Sequence, residues 1–345
     1  MRSFGPFDGA AILGAARYLH GAPIDNAGAL AACPKRAAID ELRRQFLARG
    51  LERTLGVRHR HWVHLPGTEL RHGEEATTVD LAEAAARAAL ADAEIDAEAL
   101  AHIFVVSSTP HRMTSTIAAP LGAALGTRAP AVDVRVGCAG GLFALQLAAA
   151  TLAADPSAPV LLVGAETFSK IIPAQHEAAV VALGDGSAAL VLGHRQGSAI
   201  EAIALATDGT LGGLVTTDGA LPPTTAEIER GGYLLGGQPE GLAEAVPGKY
   251  RSVIDAALER AGVTGDAIDL LIPHPTSRGM AEAVAQHVGA KSCYDAAIAE
   301  HANIGAAGWI AALAEARRRG AYQPGQRVLV AAVGGGLSSG AAILR

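Results

Sequence analysis

The segment from Ala89, ALADAEIDAEALAHIFVVSSTP, can be laid on the segment from Ala257, ALERAGVTGDAIDLLIPHPTS. Each reads as a helix end, a polar connection and a buried strand that stops at small polar residues. Their continuations match again: VGCAGGLFALQLAAATLAADPSAPVLLVGAE from Val136 pairs with HANIGAAGWIAALAEARRRGAYQPGQRVLVAAVG from His301. In both, a Gly-rich tight turn opens a helix that returns through a Pro-containing loop to a buried strand. Two matches in the same order are hard to obtain by chance from Ala-rich helices, so the chain reads as two related α/β halves. The boundary is placed near Gly197, giving halves 1–197 and 198–345.

Continuous apolar runs such as VLLVG at 160–164 and VLVAAV at 328–333 lack the alternation of a half-exposed strand. They are predicted to lie in largely parallel sheets covered by helices on both faces. Further strands are predicted at 103–107, 131–136, 180–183, 188–192 and 269–272. Asp185-Gly186 between two of these reads as a hairpin turn. The Gly-, Pro- and Thr-rich stretch 208–250 reads as a long irregular excursion of the kind that carries function or mobility.

Composition excludes several classes. Half the residues are hydrophobic, which rules out disorder. The formal charge of 28 − 34 = −6 argues against nucleic acid, and 4% aromatic content leaves no stacking platform for single strands. The longest apolar stretch, 140–154, carries Gln146 and Thr151, so no membrane span is predicted. The start has Asp8 ahead of a short apolar run broken by Gly14, a poor secretory signal, and a cytoplasmic protein is expected. Cys33, Cys138 and Cys293 are odd in number and lack metal-ligand spacing. The run Arg58, His59, Arg60, His61, His64, with His72, has no acidic or cysteine partners and reads as an alternating exposed strand rather than a metal cluster. Val333-Gly334-Gly335-Gly336 is followed by no Lys-Ser or Lys-Thr, so its backbone N–H groups suit an oxyanion hole better than a nucleotide. No metal or cofactor is expected.

Three residues stand out for chemistry. Cys138 follows a predicted strand and directly precedes the helix LFALQLAAATLA, where the helix dipole is expected to lower its pKa and favour the thiolate. The alternative is a small buried cysteine in a tight site, which is how Cys33 and Cys293 are read. His274 ends the strand IDLLIPH, at the end where open α/β sheets hold ligands. Asn303 occupies, in the repeat, the place that Cys138 takes in the first half. It offers an N–H donor for a carbonyl or enolate oxygen, or simply a helix cap.

Cys138, His274 and Asn303, in that order on a duplicated α/β chain, resemble the thiolase superfamily, and more specifically its ketoacyl-acyl carrier protein synthase III branch. The likeness runs through LGVRHRH at Leu55, IFVVSSTP, VDVRVGCAGG, ALGDGSAALVL, IPH, NIGAAG and VLVAAVGGGLSSGAAILR. The family commonly has Gln-Ala-Asn after its histidine, where this chain has Pro275-Thr276-Ser277, and a Thr-Ser pair where Ile304-Gly305 follows Asn303. These departures lean toward a specialised fatty-acid or polyketide-type pathway rather than housekeeping initiation.

The resemblance implies a five-layered αβαβα fold, a homodimer or a heterodimer with a sister subunit, and an active site at the end of a tunnel. It implies an acyltransferase in which Cys138 carries the acyl group and the N–H groups of Cys138 and Gly335 form the oxyanion hole. His274 and Asn303 would hold the carbonyl of a malonyl-type thioester as it loses carbon dioxide. Acyl transfer to an alcohol or amine without decarboxylation needs the same residues, and a non-catalytic partner subunit is a further alternative. Met113 is expected to reach the partner's acyl pocket. The family's adenine-sandwiching Trp and Arg fall here on Gly50 and Thr54, with Arg53 adjacent. Delivery by an acyl carrier protein is therefore expected over coenzyme A, with Lys249, Arg251 and Arg278 as docking charges.

Overall fold

The computed structural model describes residues 1–345. In the first half the chain runs β1 (Phe7–Tyr18), α1 (Thr78–Ala93), β2 (His102–Val106), α2 (Ala118–Leu125), β3 (Ala131–Val134), α3 (Gly140–Ala154), β4 (Val160–Glu166) and β5 (Gly186–Thr207). It continues through α4 (Leu242–Ala261), β6 (Leu270–Pro273), α5 (Arg278–Val288), α6 (Gly308–Arg318), β7 (Val328–Gly334) and β8 (Ser338–Leu344).

The first sheet has the order β3-β2-β4-β5-β1, with β2 parallel to β3 and β4, and β5 antiparallel to β4 and β1. The second repeats it. A bridge at Cys293 stands beside β6, which is parallel to β7, followed by antiparallel β8 and then the end of β5. Strand β5 therefore serves both sheets, and its exposed stretch 194–197, with Gly197 at φ +83°, separates the two portions.

Alternation along the strands builds five layers. Leu161 and Val163 face outward with Ile103 and Val105 onto the alanine stripe of α1 and onto α2. Leu162, with Phe104 and Val106, faces inward onto α3 and α6, whose other sides meet Ile272, Val330 and Ala342 of the second sheet. Leu271, Leu329 and Ile343 then face out again onto α4 and α5. Because α3 lies between two sheets most of its surface is apolar, although Leu147, Ala150 and Ala153 remain exposed on one side. That is why the stretch Gly137–Ala154 is long and apolar enough to cross a membrane on composition alone.

Several local expectations are corrected. Residues 180–182 are helical, within Glu177–Ala182, because the His176 side chain accepts the Ala179 N–H and caps a helix there, and only Leu183 is extended, in an isolated parallel bridge to Asn303. Asp185 is no hairpin tip: it is fully buried and accepts from Val63 N at 2.7 Å and Ser169 N at 2.8 Å. The His/Arg run forms only the two-residue strand His59–Arg60, and Arg60, His61 and His64 are buried. The irregular excursion ends sooner than expected, since α4 begins at Leu242.

Candidate active site

Cys138 sits in a 3-10 turn, Gly137–Ala139, that leads directly into α3. Gly137 has φ +59°, and a Cβ on it would fall 3.0 Å from Gly335 O and 3.1 Å from Gly335 N. Gly334 is closer still: a Cβ there would meet Cys138 N at 2.5 Å and its Cβ at 2.8 Å. The VGGG turn at the end of β7 can therefore lie against the cysteine only because it lacks side chains.

His274 follows β6, its N–H donating to Ala331 O at 2.8 Å, and it is 1% exposed. Asn303 comes from the matching turn of the second half. Its backbone is clamped by residues of the first half, donating to Ala182 O at 2.9 Å and accepting from Gly184 N at 3.0 Å. Its Oδ1 accepts the Gly305 N–H at 2.9 Å. The Asn303 amide also lies within reach of Cys138, where an N–H donor favours the thiolate, and of His274, where an oxygen acceptor favours the imidazolium. Cap and donor are thus two ends of one side chain. The preceding residue, Ala302, holds φ +58° and ψ −156°, a region normally left to glycine, at a cost of about 1–3 kcal/mol.

The electrostatics overturn the expected thiolate. Although Cys138 keeps some exposed surface, burial around its sulfur pushes the thiol up to about 12, and Glu166 adds to the rise. Its own backbone N–H and Asn303 oppose this without winning. Burial drives His274 the other way, down to about 3, with the nearby His301 adding to the fall. The resting site therefore holds a thiol and a neutral imidazole. Neither ring nitrogen of His274 has a well-formed hydrogen bond, despite complete burial. Buried polar atoms left open in this way suit a group that arrives with the substrate.

Two buried groups escaped the sequence reading. Glu166, fully buried at the end of β4, accepts from Thr109 Oγ1 at 2.7 Å, Ser108 N at 3.0 Å and Ala306 N at 3.3 Å. Burial pushes its carboxyl up to about 7. It ties the first sheet to the turn after Asn303. His301 is buried with Nδ1 against Ala302 O at 2.8 Å, and burial takes it down to about 4. The sequence signal for Glu166 was a carboxylate closing the apolar run VLLVGAE.

The peripheral candidates lie apart from this cluster. Met113 is 69% exposed in a loop of its own protomer. Arg53 is exposed on the last turn of the helix Glu41–Leu55. Lys249 is held by Asp208 at 2.8 Å, which engages its charge. Arg251 is exposed, and Arg278 packs beside Gly56 at the start of α5, four residues beyond His274.

The model of the 3-oxoacyl-[acyl-carrier-protein] synthase III family matches residues 132–209, and the C-terminal model of the same family matches residues 258–345. The beta-ketoacyl-[acyl-carrier-protein] synthase III of Rhodospirillum rubrum is 38% identical over 290 residues, 81% of this chain and 88% of that relative. The chain belongs to the synthase III family. A second relative of the same name, from Nitratidesulfovibrio vulgaris, is 36% identical over 299 residues, covering 84% of this chain and 88% of its own. Among solved structures, the synthase III of Pseudomonas aeruginosa PAO1 superposes with a TM-score of 0.83 at 25% identity over 98% of both chains. The priming beta-ketosynthase of the R1128 polyketide pathway shares the fold, with a TM-score of 0.83 at 22% identity over 98% of this chain and 96% of that one. Synthase III membership makes the chain an acyl-transferring condensing enzyme with the five-layered thiolase fold.

Proposed function

We propose that this enzyme loads an acyl group onto Cys138 and condenses it with a malonyl- or β-ketoacyl-type thioester in a specialised fatty-acid or polyketide-type pathway. The observation that carries the reading is that one side chain, Asn303, is within reach of both Cys138 and His274, whose buried ring has no partner of its own.

In the first half-reaction the Cys138 sulfur attacks the incoming thioester carbonyl while its proton passes to neutral His274. Concerted transfer suits a site where burial disfavours both a free thiolate and a free imidazolium. The N–H groups of Cys138 and Gly335 receive the oxyanion, and the imidazolium returns the proton to the leaving thiolate. In the second half-reaction His274, again neutral, and Asn303 Nδ2 donate to the carbonyl oxygen of a malonyl thioester. Its carboxylate leaves as carbon dioxide, the enolate carbon forms the new C–C bond at the acyl carbon, and Cys138 departs as a thiolate that takes a proton from water to regain the resting thiol.

An acyl carrier protein is the proposed donor, docking at Arg278 and Arg251, and a homodimer or a pair with a sister subunit is the proposed assembly, with Met113 entering the partner's pocket. The test is to supply acylated enzyme with carboxyl-labelled malonyl thioester and measure label released as carbon dioxide against 3-oxoacyl product. Stoichiometric release is expected. Ester or amide formation from an alcohol or amine, without release, would replace condensation by simple acyl transfer.

A further inference from the structure

Tyr250, in α4, is 1% exposed, yet its hydroxyl has no hydrogen-bond partner among the described residues. A buried hydroxyl left unpaired forfeits its hydration for nothing, so its position needs a reason. Tyr250 packs with Val333 and Leu337, and its hydroxyl approaches the Val333 backbone without a well-formed bond. The next residue, Gly334, is the one that lies against Cys138. Strand β6 accompanies β7 only as far as the pair Pro273 and Ala331, so Val333 lies two residues beyond the Ala331 carbonyl that accepts the His274 N–H. Cys138 is near enough to raise the Tyr250 pKa, but no hydrogen bond joins the two side chains.

An unpaired buried hydroxyl clustered with Val333, the residue before the Gly334 that abuts Cys138, is close enough to meet a group that Cys138 carries. We propose that Tyr250 is a specificity-determining residue whose hydroxyl donates a hydrogen bond to an oxygen on the chain of the acyl group bound to Cys138, so that β-oxygenated acyl groups are selected over plain alkyl ones. The inference rests on the proposed loading of Cys138. The thioester oxygen is already served by the Cys138 and Gly335 N–H groups, which leaves the hydroxyl to an oxygen further along the chain. A chain without one would keep Tyr250 unpaired, and sites built around a hydrogen bond reject analogues that lack it.

The experiment measures single-turnover loading of Cys138 by intact mass, using 3-hydroxybutyryl-pantetheine and butyryl-pantetheine, in the wild type and in Tyr250→Phe, which removes only the oxygen. The wild type is expected to load the hydroxylated chain at least about ten-fold faster. Tyr250→Phe is expected to erase that ratio by slowing the hydroxylated chain while leaving butyryl unchanged or faster. Equal rates in the wild type, an unchanged ratio in the variant, or equal loss of both adducts in the variant would each overturn the selectivity while leaving Cys138 loading intact. No wild-type adduct from either thioester would overturn the loading of Cys138 and this inference with it.

Discussion

Gly308 has no side chain because the ring of His274 occupies the space: a Cβ there would fall 2.5 Å from Cε1 and 2.6 Å from Nδ1. The first residue of α6 thereby fixes the ring that ends the β6 connection, and the helix positions the imidazole by steric contact alone.

Gly308→Ala is expected to push the ring aside and cut condensation by about 10²-fold, the usual consequence of an ångström-scale misplacement. The α6 backbone is helical at this position and accepts alanine, but moving a buried ring should also lower stability by about 1–3 kcal/mol, too little to unfold the enzyme. Steady-state condensation and a melting curve together check this. Unchanged condensation would mean that His274 is not held by this contact.

Asn303 allows its two roles to be separated. Asn303→Asp retains an oxygen to accept the Gly305 N–H but loses the Nδ2 donor, whereas Asn303→Ala loses both. Both variants should lose condensation by roughly 10²–10³-fold. Only the alanine variant should also lose about 1 kcal/mol of stability, the ordinary worth of such a cap. Wild-type condensation in Asn303→Asp would reduce the residue to a cap.

Glu166 should be felt in two pH profiles. Its folded-state pKa, about 7, lies above the ordinary 4.5, so the native state binds the extra proton between these values. The stability it contributes is fully present below pH 4.5 and is lost as pH rises through about 7. Glu166→Gln should flatten the stability curve in that window relative to the wild type. The variant also removes a negative charge that raises the Cys138 thiol. Alkylation of Cys138 by iodoacetamide should therefore begin at lower pH than in the wild type, and an unshifted or upward-shifted profile would contradict the assignment.

The donor is expected to be a carrier protein. No aromatic ring stands at Gly50 or Thr54, and Trp62 is buried with Nε1 donating to Leu183 O at 3.2 Å, so it cannot stack on a purine. A missing stacking partner should weaken coenzyme A by about ten-fold or more. With the same acyl group, carrier-bound donor should load Cys138 at lower concentration than the coenzyme A form, and Arg278→Glu should raise the KM for the carrier donor but not for the pantetheine donor. Adenine-dependent loading with the carrier no better would reverse this expectation.

The layers are legible because 160–165 and 328–334 are continuously apolar and each strand follows a Gly-opened helix, so pattern and repeat agree. The run 180–183 misled because its β-branched pair belongs to a short helix stabilised by a His176 cap and by packing of Val180 and Val181 into two clusters, neither of which has a periodic signature. Asp185 and Glu166 were illegible for a related reason. A lone carboxylate at a strand end ordinarily marks the surface, and only tertiary donors such as Val63 N, Ser108 N and Thr109 Oγ1 make burial tolerable. The cysteine was found by its strand-turn-helix setting, but its protonation was misjudged because the dipole argument counts the helix and omits the desolvation that two stacked halves impose.

The loading of Cys138 is most directly tested by intact-protein mass after incubation with an acyl thioester. One adduct is expected, absent in Cys138→Ala and retained in Cys33→Ala, because Cys138 lies against Gly334 with Asn303 in reach while Cys33 is buried outside the site. An adduct that persists in Cys138→Ala would contradict the account.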